Sequence, residues 1–252
     1  MSRFLTVALD AVKTAEEVVK KYYSNDIRAT LKKDCSPVTI ADQEAEEVIK
    51  KIISNAFPDH AFLGEETGTS SINAEYLWII DPIDGTKNYI RQIPLFATQL
   101  ALMKGEEVIV GVSNAPEIHE LIYAEKGHGT FLNGNRVSVS TISEIRNSYM
   151  SFGGIGYFDK RNLINYLLRI ENDTQGHRGI GDFWSYHLLS SGKIEIMIEA
   201  DTKVWDIAAV SLIVEEAGGR VTDIRGNSVN RATGSIVATN GLIHDQVLAY
   251  FN

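Results

Sequence analysis

The stretch Trp78-Ile79-Ile80-Asp81-Pro82-Ile83-Asp84-Gly85-Thr86-Lys87-Asn88 constrains this chain more than any other part of it. An apolar run that reads as a buried strand stops on two carboxylates three residues apart, with a Gly-Thr step behind them. Pro82 fixes φ and removes a donor, and Gly85 permits a tight turn. Asp81, Asp84 and an intervening carbonyl can therefore converge on one side. Hard oxygen donors so arranged suit magnesium, which keeps part of its water shell. Two more acidic element ends accompany them: Gly64-Glu65-Glu66-Thr67 after the apolar Phe62-Leu63, and Trp205-Asp206 before an apolar helix. Each alone has a plainer reading as a turn dipeptide, a solvated loop or a helix N-cap, but three such ends invite convergence.

The flanking patterns imply mixed α and β layers. Phe4, Val7, Ala8, Ala11, Val12, Ala15, Val18 and Val19 predict a helix over residues 3–23, and a second runs from near Asp42 through Ile53 until Phe57-Pro58 ends it. Short apolar runs then predict strands at 61–64, 76–80, 97–103, 108–112, 121–124 and 137–140. Asn133-Gly134 marks a tight hairpin turn. Beyond residue 160, helices are expected at 163–170, 184–191, 207–217 and 242–251, alternating with extended segments at 194–199, 221–224 and 236–239. With no repeat or long linker, the chain is expected to form one compact unit. Its halves are 1–145, carrying most of the acids, and 146–252, carrying Asp206.

Composition narrows the chemistry. The 252 residues are 44% hydrophobic, enough for a full core, and the formal charge of -9 argues against a nucleic-acid binder. One cysteine, Cys35, cannot form an internal disulfide, the first residues show no leader pattern, and no apolar run approaches the roughly 20 residues of a membrane span. A cytoplasmic protein is the expectation. The six histidines lack metal-ligand spacing and are expected to be surface or locally satisfied, and no GxSxG, Walker or GxGxxG junction is present. Gly153-Gly154-Ile155-Gly156 reads as a glycine-rich turn only.

Three segments, Gly64-Glu65-Glu66-Thr67, the Trp78–Asn88 stretch, and Trp205-Asp206-Ile207-Ala208-Ala209 with Glu216-Ala217-Gly218-Gly219, together resemble the inositol monophosphatase family of magnesium-dependent, lithium-sensitive phosphatases. The resemblance runs along nearly the whole chain. It implies an αβαβα layered sandwich of the inositol monophosphatase and fructose-1,6-bisphosphatase type, a homodimer, and two to three magnesium ions. By motif position Glu65, Asp81 and the carbonyl of Ile83 would hold one ion, Asp81, Asp84 and Asp206 another, and Glu65 with waters a third. Thr86, with Asp42, would polarise the attacking water, and Asp84, Gly85 and Thr86 would meet the phosphate. The alternative for Asp42 is a helix cap. Metal held by acids also explains how an acidic protein captures an anionic phosphate monoester.

The segment Arg178-Gly179-Ile180-Gly181-Asp182-Phe183-Trp184-Ser185-Tyr186, with Glu199, is the candidate for choosing the alcohol. It is acidic and aromatic, and it resembles the histidinol-phosphate phosphatase branch of the family. Asp182 and Glu199 would hold a cationic substrate, joined by Arg178 and Asp206, while the aromatic residues close the wall or simply fill the core. L-histidinol phosphate is therefore the leading expected substrate, ahead of inositol monophosphate, with fructose 1,6-bisphosphate or a nucleoside bisphosphate behind. A non-catalytic metal- or phosphate-binding regulator is the alternative of another class. Lys32 or Lys33 is expected to guide the phosphate.

Overall fold

The computed structural model describes residues 1–23, 29–31, 37–69 and 74–251; Lys32, Lys33 and Cys35 lie outside them. In chain order the first half runs α1 (Arg3–Tyr23), β1 (Ala29–Leu31), β2 (Pro37–Thr39), α2 (Ile40–Ala56), β3 (Ala61–Gly64), β4 (Gly68–Thr69), β5 (Tyr76–Asp84), α3 (Thr86–Ile90), β6 (Ala97–Lys104), β7 (Glu107–Ala115), β8 (Glu120–Glu125), β9 (Thr130–Leu132) and β10 (Asn135–Val137). It continues with β11 (Tyr149–Phe152), α4 (Ile155–Lys160), α5 (Ile164–Asp173), β12 (Gly176–Arg178), α6 (Asp182–Ser190), β13 (Ile196–Glu199), α7 (Val204–Glu216), β14 (Arg220–Thr222), β15 (Ile236–Thr239) and α8 (His244–Leu248).

Among the described residues, β3 to β10 form an eight-stranded sheet in the order β10-β9-β8-β7-β6-β5-β3-β4, and β11 to β15 a five-stranded sheet in the order β12-β11-β13-β15-β14. Side-chain alternation along β5 shows how the layers stack. Trp78 and Ile80 face α1 and α2 in one buried cluster, whereas Leu77 and Ile79 face Val204, Ala208 and Ala209 of α7 in another. The opposite side of α7, with Ile207, Val210 and Val214, packs with Tyr186 of α6 on Met197, Ile236 and Ala238 of the second sheet. Met150, Ile196, Ile198 and Val237 meet Phe158, Leu167, Ile170 and Val247 beyond it. The result is the αβαβα sandwich, with α6 and α7 as its middle layer. Because α7 is covered on both sides, it is apolar nearly all round instead of amphipathic.

Most expected elements fall within a residue or two of their places, and β3 coincides with its predicted span. Asn133 and Gly134, both at positive φ, close the two-residue β9–β10 hairpin. Three differences matter. The strand expected over 137–140 ends at Val137. An extra helix, α4, follows Gly154. Most important for the site, β5 does not stop at Ile80 but continues to Asp84, because β6 stays paired with it across an irregularity.

Candidate active site

That irregularity aligns the two aspartates. Asp81 pairs with Gln99 and Asp84 with Ala97, so three steps along β5 match two along β6. Residues three apart on a regular strand point to opposite faces; one extra residue in the bulge restores them to the same side. Pro82, which cannot donate to a ladder, sits where the ladder is interrupted. Asp81 Oδ1 accepts the Ile83 N–H at 3.0 Å, and the Thr98 hydroxyl donates to the Pro82 carbonyl at 2.8 Å. Gly85 then turns the chain at φ 88°, and an added Cβ would lie 2.9 Å from the Leu95 carbonyl. Strand β3 runs parallel to β5, so its end delivers Glu65 to the same edge, with the Glu65 N–H bonded to the Ile80 carbonyl at 3.0 Å.

The second half contributes the facing wall. Asp206 stands in the first turn of α7 and accepts the Lys203 N–H at 2.7 Å. Asp182 opens α6 and Glu199 ends β13; Tyr186, one helical turn after Asp182, donates its hydroxyl to Glu199 at 2.5 Å. Asp84 ties the walls together, since its Oδ2 accepts both Gln99 Nε2 at 3.2 Å and the Phe183 N–H at 3.1 Å. Glu65, Asp81, Ile83, Asp84, Gly85, Thr86, Asp182, Glu199 and Asp206 thus line one cavity of about 190 Å³.

Concentrated negative charge marks this cavity. Burial first, then the charges of Glu65, Asp84 and Asp206, hold the Asp81 carboxyl well above the usual range. Asp84 is likewise raised, by burial and then by Asp182, Asp206 and Glu199. Asp206 is pushed up to about 7 and Glu199 to about 8, burial leading in both. Lys87 opposes the rise at Asp182, and Lys203 the rise at Asp206. Carboxylates this crowded call for a cation, and oxygen donors alone suit magnesium. Among the described residues no three His, Cys, Asp or Glu side chains already form a group that could hold an ion by themselves. A cation that retains waters and takes a backbone carbonyl fits such an open donor set.

Two expected participants stand differently from the rest. Asp42 is fully buried in the first turn of α2, where its Oδ2 accepts the Thr39 N–H at 2.7 Å and the Thr39 hydroxyl at 2.6 Å. The cap is therefore real, yet Oδ1 has no partner, and the Asp42 carboxyl is pushed up to about 6 by burial, with Glu65 adding to the rise. Asp42 is not joined to Thr86, whose hydroxyl donates to the Ile83 carbonyl at 3.0 Å. Arg178 is not brought in: it is exposed, bonded to the His177 carbonyl at 2.7 Å, with its guanidinium over Tyr149.

Of the aromatic residues in the Arg178–Tyr186 segment, Tyr186 alone lines the cavity; Phe183 packs with Ala97 and Ala115, and Trp184 joins them. Helical phase explains this, because 182 and 186 share a face that 183 and 184 leave. The glycine-rich turn is more than a turn: Gly153 and Gly154 line the cavity, and a Cβ on Gly153 would press on Glu199 at 3.1 Å. Tyr157, Asp201 and Thr202 were not foreseen as lining residues. Asp201 is occupied by Arg161 at 2.6 Å, whereas the buried Thr202 hydroxyl has no partner.

Comparison with known proteins agrees along the entire length. The model of the inositol monophosphatase family matches residues 1–252. A histidinol-phosphatase of Mycobacterium tuberculosis is 35% identical over 98% of this chain and 97% of that protein. A fructose-1,6-bisphosphatase/inositol-1-monophosphatase of Thermotoga maritima is 36% identical over 85% of this chain and 82% of that protein. The crystal structure of the extragenic suppressor protein SuhB from Bartonella henselae superposes with a TM-score of 0.93 at 28% identity, covering 100% of this chain and 99% of that one.

Proposed function

The chain belongs to the inositol monophosphatase family and is a phosphoric monoester hydrolase, and from that premise we propose that it hydrolyses L-histidinol phosphate with magnesium. The observation that carries the reading is the placing of Asp182 and Glu199 in one cavity with Glu65, Asp81, Asp84 and Asp206. Histidinol carries an ammonium and an imidazole, and two carboxylates opposite the metal-binding acids offer them charge-assisted hydrogen bonds. Three relatives at 32–35% identity bear the name histidinol-phosphatase.

Glu65, Asp81 and the Ile83 carbonyl would hold one ion, Asp81, Asp84 and Asp206 a second, and Glu65 with waters a third. Bound magnesium would neutralise the phosphoryl oxygens and lower the pKa of a coordinated water. The Thr86 hydroxyl, whose hydrogen goes to the Ile83 carbonyl, would orient that water as an acceptor, and Asp42, whose Oδ1 has no partner, would be the further acceptor. The Gly85 and Thr86 N–H groups meet the phosphate. Tyr186 fixes Glu199, and with it the alcohol. Inositol monophosphate stands second, because polyol hydroxyls can also donate to Asp182 and Glu199 and the Thermotoga relative is named for it. A cytoplasmic homodimer is part of the same proposal.

Initial rates with magnesium across L-histidinol phosphate, inositol monophosphate, fructose 1,6-bisphosphate and a nucleoside bisphosphate test this. The highest kcat/KM is expected for histidinol phosphate. Equal or greater turnover of inositol monophosphate would reverse the order.

A further inference from the structure

A buried charge outside the cavity lies against the turn that carries Glu65 past the end of β3. Glu46, on α2 one turn after Asp42, has no exposed surface. Its Oε2 accepts the Glu66 N–H at 2.9 Å, its Oε1 lies 2.7 Å from Lys50 Nζ, and the Thr67 hydroxyl donates to the same oxygen. Lys50 also donates to Thr67, closing a ring of three side chains. On the other side of Glu65, an added Cβ at Gly64 would collide with the Glu46 carboxylate, so the glycine is there to let the carboxylate in. Both neighbours of Glu65 are thereby set by one side chain, while the Glu65 N–H is held by Ile80.

We propose that Glu46 is the positioning residue for Glu65: through Glu66 and Thr67 it locks the turn that aims the Glu65 carboxylate into the cavity, and it thereby sets magnesium affinity. Burying an ionised group is expensive, and an apolar side chain would tie α2 to β3 more cheaply. What an apolar side chain cannot do is accept three donors at once and so fix one conformation of a three-residue turn. Groups that orient a ligand in this way typically shift metal affinity by about 10–100-fold when removed.

The inference rests on Glu65 being a magnesium ligand, and the test separates the two. Titration calorimetry of magnesium into the metal-free protein is run on the wild type, Glu65→Gln, Glu46→Gln, Thr67→Val and Thr67→Ser, with metal-free thermal unfolding alongside. Glu65→Gln and Glu46→Gln should each weaken binding about tenfold or more, Thr67→Val by a smaller factor of roughly three, and Thr67→Ser should match the wild type. A merely structural role would lower the melting temperature or the binding-competent fraction and leave the Kd of that fraction unchanged. Weakened binding in Glu65→Gln with unchanged Kd in Glu46→Gln and Thr67→Val would overturn the inference alone. Unchanged binding in Glu65→Gln would remove the ligand reading beneath it. If Glu46→Gln does not fold, the exposed Thr67 pair decides, since Thr67→Val keeps the buried ion pair.

Discussion

The two walls of the cavity are built by different means. On the first-sheet wall, Glu65, Asp81 and Asp84 each sit on backbone that is hydrogen-bonded to a neighbouring strand or to a local turn, and a bulge aligns the aspartates. On the facing wall, Gly181 and Asp182 adopt φ of 67° and 49°, and Glu199 is held by a side-chain bond from Tyr186. A left-handed backbone at a non-glycine residue costs on the order of 1–3 kcal/mol and persists only where its surroundings enforce it. The acids assigned to metal, Asp206 on the facing wall among them, are thus fixed by main-chain hydrogen bonds, and those assigned to the alcohol by a side-chain bond and a strained helix start. Chemistry should accordingly be intolerant of change on the first wall and at Asp206, while substrate preference should be adjustable at Asp182 and Glu199.

The largest expected effect is on the acids that would hold metal. Asp84→Asn or Asp206→Asn should reduce magnesium-stimulated phosphate release by about 10²–10³-fold or more, while the metal-free protein melts at a higher temperature because a repelling charge has gone. Either variant retaining wild-type activity would break the comparison at its first term. On the facing wall, Glu199→Gln keeps the shape and removes the charge. KM for L-histidinol phosphate should rise about 10–100-fold, the range of a lost charge-assisted bond, with kcat nearly unchanged. A fall in kcat as deep as that of Asp84→Asn would make the two walls equivalent.

The same contrast governs what could be read from the sequence. The first wall is local: an apolar run, Asp-Pro-Ile-Asp-Gly and Gly-Glu-Glu each announce a strand end, so Glu65, Asp81 and Asp84 were legible before any fold was known. The bulge was not, because it depends on which residues of β6 pair with β5. The second wall is assembled by packing between distant segments. Gly153 and Gly154 gave only a turn signal, Tyr157 and Thr202 gave none, and Phe183 and Trp184, open in the sequence between cavity wall and core, are set by helical phase against Ala97 and Ala115. Glu46 and Lys50 illustrate a further limit. An acidic and a basic residue four apart on a helix read as an exposed pair, yet the carboxylate of this pair is fully buried.

The smallest effect concerns stability against pH, and it sets the charge of the cavity against a neutral histidine at the start of α8, packed on the second sheet. Metal-free, Asp206 is pushed up to about 7 by burial first, with Glu65 and Asp182 adding to the rise. An unfolded aspartate ionises near 3.8, so this group's contribution is full below that pH and is lost as pH rises toward 7. His244 has the opposite sign. It is buried between the Thr222 and Thr239 hydroxyls, each 2.9 Å away, and burial, followed by the charge of Arg220, lowers its pKa to about 4. The unfolded histidine takes up a proton near 6.5, so the stability from His244 is full above 6.5 and drains away as pH falls toward 4. His244→Gln can keep both hydroxyl bonds and cannot be protonated. Between about pH 7 and pH 4.5, urea unfolding of the metal-free proteins should show the wild type losing about 1–3 kcal/mol relative to this variant. An equal difference at both pH values would show that the pairing of β14 and β15 does not depend on an uncharged imidazole at residue 244.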